Sequence, residues 1–429
     1  MSTALFNRAM KAIAEGRFST AVSIADAAIA GTPNETVILR AVEVFSLSGH
    51  SDRARSLLAN AEAVQRKTMY FARALVELRD RRLEEAACML ESHVASNPGD
   101  RYVHYILASI LPHLGRFDEA NQHAARGTLM RCGDLGITTS RTIRFPDAGM
   151  RLSSSLPASF GRCIKLEDSL GAEGIDSVYL VCCDSRYFKL FGEALVNSLA
   201  HRAVARLLLH VHLVNPDDAA ESLLVRLRSK SIVSIGSSRE WIDFSEFSDS
   251  SRRTYLSCAR YLVLPEVLDI YNKPALVADI DQLVVADLSG LLSDLKPCDV
   301  GLLRFDSEVG NILSLISASI VAVNQSAGGR RFAGVLRGVI VERMSDPAAL
   351  SWHLDQASLA VTHLWCRDLK TLRLAPEIMD SVIDPLAAPD KLDPKALFWS
   401  ITFTHAHNAA KLRTKLFQQF LDQHYRSDH

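Results

Sequence analysis

Two aspartates, Asp279 and Asp281, stand one residue apart in ALVADIDQLVVADL (275–288), a run otherwise made of small and branched apolar residues. The run reads as a buried strand. Alternate side chains of a strand share a face, so both carboxylates point the same way with only Ile280 between them. Like charges that close repel, and each is costly to bury unpaired. A divalent cation between them removes both objections, and a polar strand end facing solvent is the alternative. Other residues able to do chemistry are scattered along the same half of the chain. Arg260 in CARYLVLPEVL projects from an otherwise apolar helical face. Asp355 and Gln356 in HLDQ precede ASLAV, a pattern that suits helix entry. Cys183, Asp184 and Tyr187 follow the first apolar strand of this half. His405, His407 and Lys411 fall together in HAHNAAK (405–411), where a strand-end histidine and a helix-surface lysine are the plain readings.

The elements that must position these groups change character midway. The chain has 429 residues, which predicts more than one domain, and 48 % hydrophobic with 23 % charged residues is an ordinary globular composition. A formal net charge of −1 argues against a polyanion binder, so no nucleic-acid partner is expected. The start, MSTALFNRAMKAIAEGRF, turns charged before a long apolar core develops, and no stretch is apolar enough to span a bilayer. The eight cysteines lack CxxC or zinc-ligand spacing, which fits reduced thiols. A cytoplasmic location is the expectation.

The first 130 residues contain a repeat. GRFSTA (16–21), GHSDRA (49–54), RRLEEA (81–86) and GRFDEA (115–120) place alanines 33, 32 and 34 residues apart, at Ala21, Ala54, Ala86 and Ala120. Pro33 and Pro98 each fall 12 residues after their alanine, where a second helix should stop. This period resembles that of tetratricopeptide repeats, an α-helical solenoid whose units bury their apolar faces only against neighbours. The resemblance implies a peptide- or protein-binding surface. Residues 131–172, rich in Ser, Gly and Pro, read as an irregular connection.

From Val178 the period becomes that of strands: 177–183, 207–214, 231–236, 275–285, 299–305 and 317–323. Helical patterns lie between several of them, at 187–203 and 219–230. Such alternation predicts an α/β domain over 173–429 with a mostly parallel sheet covered on both faces. Ligands of these sheets bind beyond the carboxyl ends of the strands, which is where the aspartate pair falls.

Four segments in order resemble GT-A glycosyltransferases with a Rossmann-like sheet, close to the family 8 galactosyl- and glucosyltransferases of glycogenin type. They are 257–292 with its arginine-bearing helix and Asp-X-Asp, ISASIVAVN (316–324), WHLDQASL (352–359) and HAHNAAK (405–411). Ser317, Ser319 and Asn408 stand where the family has asparagine or glycine. The resemblance implies a hexose transferred from a nucleotide-sugar, with a UDP-sugar expected, using Mn²⁺ or Mg²⁺. It makes Asp279, Asp281 and His405 the metal ligands, with His407 the rival. It brings Asp279 and Arg260 to the donor, Cys183, Asp184 and Tyr187 to its nucleoside, Asp355 and Gln356 to the sugar, and Lys411 to the departing diphosphate. Helical repeats attached to such a domain suggest a protein acceptor, or a protein partner that presents the acceptor, and an array that merely stabilises or dimerises the enzyme is the alternative. A repeat scaffold bearing an inactive transferase-like domain is the other class of reading.

Overall fold

The computed structural model describes residues 2–14, 17–30, 34–62, 66–127, 143–146, 163–166, 174–202, 206–245, 247–345, 353–382 and 395–401. The chain forms two compact units, residues 1–130 with 307–312, and residues 131–306 with 313–429. No helix among the described residues is long and apolar enough to cross a membrane.

The first unit is helical: α1 (Ser2–Ala14), α2 (Phe18–Ile29), α3 (Glu35–Leu47), α4 (Ser51–Glu62), α5 (Arg66–Arg79), α6 (Leu83–Ser96), α7 (Arg101–Ile110) and α8 (Phe117–Arg126). Consecutive helices pack as neighbours. The four periodic alanines are each the fourth residue of an even-numbered helix, and each is fully buried. Their amides donate to the carbonyls of Arg17, His50, Arg82 and Arg116, the residues just ahead of those helices. A methyl group at that place lets the partner helix approach closely, which is why the sequence repeats alanine there. The turn before three of these helices holds a left-handed residue two positions ahead of the start: Gly49 (φ 79°), Arg81 (φ 59°) and Gly115 (φ 82°).

The second unit contains β1 (Cys163–Leu166), β2 (Ser177–Asp184), α9 (Ser185–Arg202), β3 (Leu207–Val214), α10 (Asp218–Lys230), β4 (Ser234–Trp241), α11 (Asp249–Tyr271), β5 (Ala275–Ala278) and β6 (Gln282–Val284). It continues through α12 (Ser289–Leu295), β7 (Val300–Arg304), α13 (Ile312–Leu315), β8 (Ile316–Val323), α14 (Ala327–Met344), α15 (Leu354–Trp365), β9 (Thr371–Leu374), β10 (Met379–Val382) and β11 (Phe398–Ile401). Eight strands form one sheet in the order β1-β4-β3-β2-β5-β8-β7-β9, and β10, β11 and β6 form another. The large sheet is mixed: β4, β3, β2 and β5 run parallel, while β8 is antiparallel to both β5 and β7. Helices cover both faces, α9 and α10 on one, α11, α14 and α15 on the other. The eight residues of β3, LLLHVHLV, are all buried, as a strand covered on both sides requires.

Three sequence expectations change here. The strand expected at 231–236 is β4, shifted to Ser234–Trp241. Residues 163–166, inside the stretch read as irregular, pair antiparallel with β4 as an edge strand. The apolar run 275–285 is not one strand. It ends at Ala278, turns through Asp279, Ile280 and Asp281, and resumes as β6 in the second sheet. Pairing decides this, because β5 finds its partners in β2 and β8 whereas β6 finds its partner in β11. The aspartates therefore occupy a turn between sheets, and strand alternation does not apply to them.

Gly49 offers a clean test of the repeat turns, because a Cβ placed there meets nothing within 4 Å. Gly49→Ala is expected to cost about 1 kcal/mol through the left-handed backbone alone, read as a shifted denaturant midpoint with an unchanged slope.

Candidate functional site

From β2 the chain winds outward through β3 and β4, then returns to place β5 on the other side of β2. The strand order reverses there, and the crevice beyond the carboxyl ends of β2 and β5 is where an open α/β sheet receives ligands. Asp184 ends β2, and Asp279 and Asp281 lie just past the end of β5. Sequence segments nearly a hundred residues apart thus deliver their carboxylates to one place.

Arg260 forms the floor. It sits on α11 with its side chain 4 % exposed, yet it carries a full charge. A buried guanidinium must be paired, and Arg260 pairs twice. One nitrogen binds the Asp279 carboxylate, and Nη2 lies 3.0 Å from the Ala318 carbonyl and 3.4 Å from Asp355 Oδ2. Tyr261 donates to the same Ala318 carbonyl at 3.0 Å, and the guanidinium lies 5.0 Å from the Tyr261 ring centroid. Burial works to lower the Arg260 pKa, but the attraction of Asp279 and the other groups around it outweighs burial and raises it. Asp355 is buried in the first turn of α15 behind His353, whose φ of 79° marks the helix start. Burial pushes the Asp355 carboxyl up from its ordinary value, with Arg260 pulling the other way. The Asp279 side chain is 39 % exposed, so this pair has one end in the crevice.

The remaining residues divide by exposure. Asp184 caps α9, its Oδ1 accepting from the Tyr187 amide at 2.9 Å, and its Oδ2 accepts from Arg252 at 3.1 Å. Tyr187 is 38 % exposed and its ring meets Phe191 at 5.6 Å. Cys183 turns into the core cluster beneath α9, and burial raises its thiol pKa well above the ordinary value. Gln356 is half-buried beside Asp355, with Oε1 3.0 Å from His353 Nδ1. Ser317 and Ser319 share a 2.8 Å hydrogen bond at the start of β8. The antiparallel register Ala278↔Ile320, carried one step further, sets Ser319 opposite Asp279. His405, His407, Asn408 and Lys411 lie outside the described residues.

Arg252 is the residue that sequence reasoning missed. The pair Arg252-Arg253 reads as a solvated face, yet Arg252 reaches Asp184 and lies 5.5 Å over the Phe244 ring. The available signal is its distance from Arg260. Eight residues along a helix leave two positions about 80° apart, within the width of one helical stripe.

No group of three or more His, Cys, Asp and Glu side chains able to hold a metal exists among the described residues. Asp279 and Asp281 do provide hard oxygen donors of the kind that Mg²⁺ and Mn²⁺ take. Asp279 is already paired with Arg260, so a cation here would share that carboxylate with a guanidinium and take further ligands from elsewhere.

No protein-family model and no curated protein matches the chain. Among the solved structures with partial similarity are glycosyltransferases. They include the apo structure of the bifunctional glycosyltransferase WbbM, at 15 % identity over 53 % of this chain with a TM-score of 0.39. The glycosyltransferase GlyE of Streptococcus pneumoniae TIGR4 matches at 14 % identity over 58 % of this chain, also with a TM-score of 0.39. The galactosyltransferase LgtC in complex with donor and acceptor sugar analogs matches at 15 % identity over 56 % of this chain and 95 % of its own, with a TM-score of 0.36. The matched regions span 46 % of WbbM and 64 % of GlyE, under two-thirds of each. At such scores the weight rests on the residues of the crevice.

Removing the buried charge tests the floor of the site. Arg260→Leu leaves Asp355 buried beside no cation and is expected to cost about 3–5 kcal/mol by chemical denaturation. The sign of its pH dependence follows. A carboxyl whose folded pKa lies above its unfolded value binds its proton more tightly when folded. The penalty should therefore shrink as the pH falls through the raised Asp355 pKa. A penalty that grows with acid contradicts this.

Proposed function

We propose that the α/β unit is a metal-dependent GT-A glycosyltransferase, similar to family 8, that moves a hexose from a nucleotide-sugar, a UDP-sugar first, to an acceptor. What supports the reading is one cluster. Arg260 and Asp279 come from one segment that resembles the family and Asp355 from another, and they meet as a single ion-paired group at the switch-point crevice.

Each residue then has work that its chemistry allows. The diphosphate of the donor is the leaving group, and negative charge grows on it as the sugar bond breaks. Asp281 and Asp279, with His405, would hold a Mn²⁺ or Mg²⁺ that neutralises this charge as a Lewis acid. Arg260 keeps Asp279 ionised and fixed, facing the donor. Asp184 and Tyr187, beside the backbone of Cys183, border the nucleoside, with Arg252 holding the Asp184 carboxylate in place. Asp355 accepts from sugar hydroxyls, and Gln356, oriented by His353, lies toward the reacting carbon. Lys411 is a point charge for the departing diphosphate. The helical unit, similar to tetratricopeptide repeats, would bind the protein that presents the acceptor, raising its local concentration to about millimolar for a flexible connection of suitable length.

One observation favours a second reading. Arg260 already balances Asp279, so the crevice is electrostatically satisfied to that extent without a cation. A transferase-like domain that binds nucleotide-sugar without turning it over, on a repeat scaffold, would look the same there. Turnover separates the two.

Asp281→Asn is expected to lower donor consumption by ~10²-fold or more while leaving the unfolding midpoint nearly unchanged, because it removes charge at a half-exposed turn. Wild-type rates in that variant, or in wild type treated with EDTA, would sink the metal role. For the histidines, His405→Ala should weaken Mn²⁺ binding in a calorimetric titration far more than His407→Ala. The reverse order would move the ligand to His407.

A further inference from the structure

The α/β unit buries a polar chain that the proposed reaction leaves unused. His210 and His212 on β3 share one face, as do Ser238 and Glu240 on β4. The parallel register sets His212 beside Ser238 and Val214 beside Glu240, so the four polar side chains interleave. Helix α11 closes both ends. The Tyr271 hydroxyl lies 2.9 Å from His210 Nδ1, and His210 Nε2 lies 2.8 Å from Ser238 Oγ. Ser238 Oγ lies 2.7 Å from His212 Nδ1, and His212 Nε2 lies 2.7 Å from Glu240 Oε2. Glu240 Oε1 accepts from the Tyr255 hydroxyl. None of the six side chains is more than 3 % exposed.

The ends fix where the protons sit. An ionised Glu240 can only accept, so Tyr255 donates to one oxygen and His212 Nε2–H to the other. In a neutral ring His212 Nδ1 accepts from Ser238, whose oxygen accepts from His210 Nε2–H. His210 Nδ1 then accepts from Tyr271. Burial, with His212 and Arg228 adding to it, holds the His210 pKa at about 3 and keeps that ring neutral. With Glu240 ionised, four protons point one way from Tyr271 to its carboxylate and a fifth meets it from Tyr255, an arrangement in which each bond polarises the next. Tyr255 and Tyr271 are sixteen residues apart on α11, about 24 Å along its axis. The chain therefore fastens the helix to the sheet near both ends.

We propose that this Tyr271–His210–Ser238–His212–Glu240–Tyr255 chain is a positioning device for Arg260: it locks α11 onto β3 and β4 and so holds the guanidinium, five residues past Tyr255, between Asp279 and Asp355. The inference rests on the glycosyltransferase reading only for what Arg260 acts upon. Tyr255 and Glu240 are fully buried. Their effect passes through the helix.

The test uses the full-length chain. Tyr255→Phe removes one hydroxyl from the chain, and Leu268→Ala opens a cavity under the same helix while leaving all six polar groups in place. Tyr255→Phe is expected to weaken binding of UDP with Mn²⁺ about tenfold, against less than about twofold for Leu268→Ala at a comparable loss of thermal midpoint. The Arg260 guanidinium resonances should broaden in Tyr255→Phe and stay sharp in Leu268→Ala. In wild type, ¹⁵N spectra should show the His210 imidazole neutral and protonated on Nε2 from pH 8 to pH 5. Equal effects of the two substitutions on Arg260, or none from Tyr255→Phe, overturn the positioning role. A His210 ring that titrates in that window, or carries its proton on Nδ1, overturns the one-way chain. A wild-type protein that binds no UDP overturns the reading of the crevice, and the Arg260 resonances then decide the positioning role by themselves.

Discussion

A single guanidinium, Arg260, sets the terms for the α/β unit. Its charge is taken almost wholly out of water, and a charge there survives only with partners close at hand. Those partners come from three other elements: the turn after β5, the first turn of α15 and the carbonyl of Ala318 on β8. Satisfying one buried side chain therefore ties together four pieces of chain that are far apart in sequence. The crevice they border inherits a fixed floor, with one carboxylate, Asp279, reaching outward from it.

The turn carrying Asp279 and Asp281 owes its place to two sheets competing for one apolar run. Had the run stayed in the large sheet, the second aspartate would have lain on a strand with its backbone bonded to neighbours. Leaving the sheet after four residues places both carboxylates in a turn at the switch point, where backbone and side chains can meet a ligand. Asp184 reaches the same crevice from β2, steadied by the Tyr187 amide of α9 and by Arg252. An ion pair at one end and a helix cap at the other leave these groups little freedom, and pre-set orientation is what a site needs in order to act on developing charge.

The helical unit solves a different problem. Its helices are short, and isolated helices of ten to fourteen residues are marginal in water. Neighbour packing through buried alanines supplies what each lacks. The α/β unit adds to its apolar packing buried polar groups gathered on Arg260 and Glu240.

The sequence alone determined the four-fold alanine spacing, the change of period after residue 176, and several elements almost to the residue, β3 among them. These are local matters, set by apolar periodicity and turn chemistry, and they survive without knowledge of any distant contact. It also singled out Arg260, Asp279 and Asp355 as residues of interest. Tertiary structure decided the rest. Nothing local says that 275–285 divides between two sheets, since that follows from which strands lie alongside. Nothing local distinguishes an arginine that faces solvent from one that reaches Asp184, so Arg252 was overlooked. The two histidines of β3 read simply as strand residues, and became a hydrogen-bonded chain only when β4 set Ser238 between them and α11 brought a tyrosine to each end. Buried charge and buried polar groups must find partners, and those partners are chosen by the fold.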